Sequence, residues 1–204
     1  MSEKIGSYHH GNLRTALIDA ALEILRESGS SDFSLRKVAT RAGVSHGAPA
    51  HHFSSKDGLV AAVAARGYLV FAATMRREIN LCDDTPSNKL KAICRGYIMF
   101  SREEPALFEL ILSPKTKQHW TEEVTAATMQ SFGVLSEVCA LFVPPGGRED
   151  LLRKLVWSLA HGWAKLEHSA PGFDSGESGW SELNAAVDAL NLTPKPAATT
   201  LKDS

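Results

Sequence analysis

The sequence predicts an all-α protein, and three observations carry that reading. Apolar residues recur at intervals of three and four through most of the chain, no segment keeps the strict alternation of a strand, and prolines, glycines and small polar residues stand where helices stop and start. At 204 residues the chain is long enough to bury a core in one or two domains.

Leu13, Leu17, Ala20, Ala21, Ile24 and Leu25 share one helical face, with Arg14, Asp19, Glu23, Arg26 and Glu27 on the other. This predicts an amphipathic helix over 11–28, stopped by Gly29. The polar run Ser30-Ser31-Asp32-Phe33 leads to Ser34, an N-cap for a short helix over 35–42, and Gly43 ends that helix before Ser45 caps the next. Helix, Ala-Gly-Val turn and short helix make a helix-turn-helix. Ser54 or Ser55 then caps a long helix from Lys56 to about Leu81, with Asp57 at the positive end of its dipole.

Asp83-Asp84-Thr85-Pro86 breaks the chain. Further helices are expected over 86–101, from Pro105 to Ser113, over 116–142, and, after the Pro144-Pro145-Gly146-Gly147 loop, over 148–168 and 179–192. From Thr193 the composition turns to Pro, Ala, Thr and charge, so 193–204 is expected to be a disordered tail. The resulting division is a three-helix head over 1–55, a C-terminal helical bundle over 56–192, and that tail.

Formal charge is −1, and residues 1–58 hold seven Lys or Arg against six Asp or Glu, the remainder 15 against 17. No overall basic bias points to nucleic acid, so any such contact rests on local placement. Cys82, Cys94 and Cys139 are odd in number and far apart, as buried thiols of a reducing compartment are. The N-terminus lacks an apolar leader core, and no apolar run approaches the roughly 20 residues of a spanning helix. A soluble cytoplasmic protein, away from the membrane, is expected.

The second helix of a helix-turn-helix is narrow enough to enter the major groove of double-stranded DNA. The expected groove helix and its flanks read Val44, Ser45, His46, Gly47, Ala48, Pro49, Ala50, His51, His52, Phe53, Ser54, Ser55, Lys56. Small residues permit close approach of the backbone, while hydroxyls, imidazoles and Lys56 reach phosphates or base edges. Ala39, Val44 and Phe53 are the apolar pins that hold the two helices together.

The stretch from Ser34 to Leu59, together with the lead helix from Tyr8 to Gly29, resembles the signature of TetR-family regulators. Trp157-Ser-Leu-Ala-His161-Gly162-Trp163 is similar to the Trp-His-Gly signature of one C-terminal subclass of that family. The resemblance implies a DNA-binding head and a helical body that dimerises and holds a small apolar or amphipathic effector, as in a homodimeric repressor of a pseudo-palindromic operator. Carried over by position, the implied DNA contacts are Ser34, Arg36, Ser45, His46, Ala48, His51 and His52, with Lys56 on a phosphate. Two departures stand out, because the family often has Lys at the place of His46 and an aromatic at that of Ala50.

For the effector, Phe71, Met75, Tyr97, Phe100, Phe108, Trp120, Met129, Phe132, Trp157 and His161 are the expected pocket, each also readable as plain core. Trp157 and His161 lie one turn apart, and Gly162 allows a close helix approach. His9 and His10 belong to an N-terminal arm. His46, His51 and His52 lack the spacing of a metal site, and His161 with Glu167 or Ser158 lacks a nucleophile elbow or phosphate loop, so no metal, cofactor or catalysis is expected. Two rivals remain at this point: a DNA-binding architectural or activator protein without an effector, and a helical ligand-binding or enzymatic domain that has lost DNA function.

Overall fold

A computed structural model describes residues 10–29, 34–118, 120–170, 173 and 176–196 of the chain. In chain order the helices are α1 (His10–Ser28), α2 (Leu35–Arg41), α3 (Ala48–Phe53), α4 (Lys56–Leu81), α5 (Pro86–Glu103), α6 (Pro105–Leu112), α7 (Pro114–Lys117), α8 (Glu122–Cys139), α9 (Glu149–Ser169) and α10 (Glu177–Asp188), with a 3₁₀ turn over Pro145–Gly147. No β-strand occurs among the described residues. The expected connector 30–33, His9, the side chain of His10 and residues 197–204 of the expected tail lie outside the description.

The chain forms two compact units, 1–69 with 103–129 and 70–102 with 130–204. The helix-turn-helix lies in the first of these units. That unit also includes the first half of α4, α6, α7 and the start of α8.

In the first unit, Leu17, Ala21, Ile24 and Leu25 of α1 are buried as their spacing requires, against Val38 and Ala39 of α2 and Phe53 of α3. α1 also packs on α6. Gly29 closes α1 with a left-handed φ of 69° while its N–H bonds the Leu25 carbonyl at 2.9 Å. Gly67 faces Ile111 and Leu107 so closely that a Cβ would lie 2.7 Å from Ile111 Cγ2, which lets α6 sit against α4. Tyr68 fixes the same contact by donating its hydroxyl to the Ile111 carbonyl at 3.0 Å.

In the second unit, Gly96 brings α5 onto the far half of α4, because a Cβ there would lie 2.6 Å from the Met75 Cα. Leu152, Val156, Ala160 and Ala164 form the buried stripe of α9, and Leu183 and Val187 that of α10. Arg102 donates Nε to Glu167 Oε2 at 2.7 Å and its second nitrogen to the other oxygen, and its guanidinium carbon lies 4.3 Å from the Trp180 ring centre. One arginine of α5 thus fastens both α9 and α10.

Four expectations are corrected. The expected helix 116–142 is two: α7 ends at Lys117, and α8 starts afresh where the Thr121 hydroxyl accepts the Val124 N–H at 3.3 Å. The last helix covers 177–188, not 179–192, and the chain leaves it through Asn191 at φ 49°. Residues 193–196 are not loose, since Val143 N–H bonds the Thr193 carbonyl and Lys195 N–H the Leu141 carbonyl, both at 2.8 Å, around a Phe142–Pro194 bridge. Finally, α4 is long and apolar enough to cross a membrane by length and composition, although 61% of its most apolar window is buried within the chain. An Ala- and Val-rich helix whose apolar window is mostly covered by the rest of the chain has that composition for core reasons.

Candidate nucleic-acid interface

Local sequence sets the geometry of the helix-turn-helix. Ser34 has extended backbone, and its hydroxyl accepts the Lys37 N–H at 3.2 Å, so α2 starts where expected. Gly43 turns the chain at φ 68°, and Val44 N–H returns to the Ala39 carbonyl at 3.0 Å. The expected cap at Ser45 is corrected: Ala48 N–H bonds the Ser45 carbonyl at 3.0 Å as a turn, and Gly47 is the residue before α3. Pro49 explains the delay. It stands in the first turn of α3, where its missing N–H has no helical partner to lose, and its ring is buried.

Around α3, Ser45, His46, His51 and Lys56 are exposed, while Ala48 and His52 are half-buried. On α2, Arg36 is exposed and Ser34 half-buried. Lys37 and Thr40, which the sequence reading did not single out, line the same open cleft as Ser34, Arg36 and Arg41. Their signal was present, because positions 36, 37 and 40 share the face of α2 opposite buried Val38 and Ala39.

α3 is held at both ends. Phe53 closes it inside the core, with the Arg14 guanidinium carbon 5.5 Å from its ring centre. Ser55 caps α4, its hydroxyl accepting the Gly58 N–H at 3.1 Å. Ser54, between the two helices, takes φ 56°. Arg41, at the end of α2, donates to Glu27 at 2.9 and 2.5 Å and to Glu23 at 3.3 Å. The hydrogen bonds from Arg41 hold the Glu27 carboxyl below its usual range, and those from Glu27 and then Glu23 hold the guanidinium above its own.

Six of the ten expected pocket residues meet in the second unit. The Phe71 ring lies 4.9 Å from Tyr97 and 5.0 Å from Phe100, and the Phe132 ring 5.0 Å from Trp157. The Tyr97 hydroxyl lies 2.9 Å from His161 Nδ1 and 3.4 Å from Trp157 Nε1. Indole nitrogen only donates, so Trp157 gives its proton to the Tyr97 hydroxyl, and the direction of the Tyr97–His161 bond follows the tautomer of the imidazole. Met75 is buried in the same unit. Phe108, Trp120 and Met129 belong to the first unit, where Phe108 is core, Trp120 stacks on Tyr68 at 6.4 Å and Met129 is 70% exposed. No cluster of three His, Cys, Asp or Glu among the described residues is placed to hold a metal ion.

Residues 17–63 match the profile of bacterial regulatory proteins of the tetR family, and residues 90–190 that of the tetracyclin repressor-like C-terminal domain. The HTH-type transcriptional regulator BetI of Pseudomonas fluorescens is 37% identical over 172 residues, which cover 81% of this chain and 86% of that protein. BetI of Pectobacterium atrosepticum is 38% identical over 86 residues, 41% of this chain, and that match spans 43% of the relative's own length. A solved structure from Rhodococcus sp. RHA1, of a protein of unknown function, is similar with a TM-score of 0.73 at 27% identity, over 91% of this chain and 98% of that one.

Proposed function

The chain belongs to the TetR family of bacterial regulatory proteins, whose members are DNA-binding transcriptional regulators and not enzymes, and from that premise we propose that it is a repressor released by a small effector. It works in the cytoplasm as a homodimer on a pseudo-palindromic operator. Ser34 and Arg36 contact the DNA from α2, and Ser45, His46, Ala48, His51 and His52 from α3 and its approach, with Lys56 on a phosphate. The observation that carries this reading is the exposure of Ser45, His46, His51 and Lys56 around a six-residue helix whose two large apolar residues, Pro49 and Phe53, are buried. The exposed apolar residues Leu155 and Leu166 of α9, with open space around Gly162, support self-pairing of α9 and α10 in a four-helix bundle.

The effector is apolar or amphipathic and uses the aromatic cluster around Tyr97, Trp157 and His161. It releases DNA by binding one arrangement of the dimer better than the other, since equal affinity for both would shift nothing. The test is fluorescence anisotropy with a duplex taken from directly upstream of the protein's own gene. The His51→Ala, His52→Ala, Lys56→Ala triple variant is expected to lose at least tenfold in affinity with an unchanged circular dichroism spectrum. Its dependence of log affinity on log salt is expected to flatten by about 1, the share of one lost lysine. Unchanged affinity would remove α3 as the groove helix.

A further inference from the structure

We infer that Arg14 is a positioning residue for operator binding: it sets the seat of α3 by bridging Phe53 to the first turn of α8, and it does so without touching DNA. This inference rests on the reading of α3 as the groove helix. Arg14 lies on α1 and has two partners. Its guanidinium carbon stands 5.5 Å from the centre of the Phe53 ring, the last residue of α3, and its Nη2 donates to Glu123 Oε2 at 2.6 Å. Glu123 lies in the first turn of α8, where a carboxylate is favoured by the helix dipole as well as by the arginine.

The geometry gives α3 a tie that its own length cannot supply. A helix of six residues has almost no hydrogen-bonding of its own to fix its tilt, so its orientation follows from what holds its ends. Gly47 and the Ser45 turn hold the start, and Phe53 holds the finish. A planar guanidinium over that ring, tethered on its other side by a carboxylate, restrains the ring in a direction that apolar neighbours do not. α8 continues past Glu123 to Phe132 in the second unit, so the tether ends on the same helix that carries part of the aromatic cluster.

The ion pair is exposed, with 38% of the Arg14 and 49% of the Glu123 side chain accessible, so a small effect on stability and a larger one on binding are expected. The experiment uses the full-length protein and a duplex it selects itself from a random-sequence library. Arg14→Met and Glu123→Gln should each weaken binding three- to tenfold, with the slope of log affinity on log salt unchanged, because no phosphate contact is removed. The exchange Arg14→Glu with Glu123→Arg restores the ion pair but leaves Phe53 without its cation. It should recover the melting temperature and not the affinity. A slope that flattens by about 1 in Arg14→Met would make Arg14 a phosphate contact and overturn the inference, as would full recovery of affinity in the exchange. Wild-type affinity in Arg14→Met, beside a loss in His51→Ala, would overturn it while leaving the groove helix in place; wild-type affinity in both would remove the groove helix as well.

Discussion

Gly58 is the position at which a single methyl group should separate folding from DNA binding. A Cβ built on Gly58 would lie 2.0 Å from the Phe53 carbonyl oxygen and 3.1 Å from its carbon. Ordinary contact begins at 3.4 Å, so the two backbones must part by roughly 1.4 Å, and neither atom is the free end of a side chain. Strain of that kind costs about 1–3 kcal/mol, and alanine within a helix regains at most about 1 kcal/mol over glycine, so Gly58→Ala should lose from near 0 to about 3 kcal/mol of stability. Binding is less forgiving. Hydrogen bonds to base edges work within a few tenths of an ångström of about 2.9 Å, and each good base contact is worth about 1–3 kcal/mol. Displacement of the end of α3 by even half of that separation exceeds this tolerance and removes at least one, which gives a loss of about tenfold to a hundredfold. Thermal melts and anisotropy on the same samples measure both effects, with Gly133→Ala, whose Cβ meets nothing within 4 Å, as the control. Operator affinity within twofold of wild type in Gly58→Ala would refute the argument that this contact seats the groove helix.

Three further outcomes are expected. Arg102→Met should cost about 2–4 kcal/mol in urea unfolding, because it strands the Glu167 carboxylate, whose side chain is only 4% exposed; Arg102→Lys should recover only part of it, lacking the planar fork. Burial pushes the Cys94 thiol up to about 12 from an ordinary 9, so above pH 9 the unfolded chain gives up a proton that the folded one keeps. Stability should therefore fall between pH 9 and 12 by on the order of 1 kcal/mol per pH unit, and Cys94→Ala, followed by thermal melts across that range, should flatten the fall. Glu27→Gln should release Arg41 from its shortest hydrogen bonds and tighten binding to any duplex severalfold at low salt, an advantage that added salt erases; unchanged affinity would place Arg41 out of reach of the phosphates.

Most helices were legible because each is punctuated locally. Ser34, Gly29, Gly43 and Ser55 act as caps and stops where the sequence places them, and Pro86 and Pro105 open helices as their missing N–H groups permit. The break before α8 was legible too, since Thr121-Glu122-Glu123 is a cap followed by an acidic first turn, but the apolar period on either side masked it. At α3 two signals competed: Ser45 offered a cap, and Pro49 in the first turn moved the start to Ala48. The pairing of Thr193 and Lys195 with Val143 and Leu141, and the link from Arg14 to Glu123, 109 residues apart, leave no local trace at all. Periodicity reports which face of a helix is buried. It does not report which distant residue covers that face.

The near-neutral charge of residues 1–58 counted against a nucleic-acid partner, and the ion pairs of the first unit show why that sum misleads. Arg14 faces Glu123, Arg26 faces Glu104, Arg41 faces Glu27 and Glu23, and Arg66 faces Asp19. The acidic stripe of α1, in which Asp19, Glu23 and Glu27 recur at spacings of four, is thus taken up by arginines of α2 and α4. Among the described residues, Arg36 of α2 and Lys56, at the start of α4, enter no ion pair, and both are exposed. A carboxylate already paired with an arginine projects little field beyond a Debye length of about 8 Å at physiological salt, whereas an unpaired cation at the surface attracts phosphate directly. A count of charges over the segment averages away this difference between paired and unpaired cations, so near-neutrality of 1–58 does not weigh against attraction to phosphate.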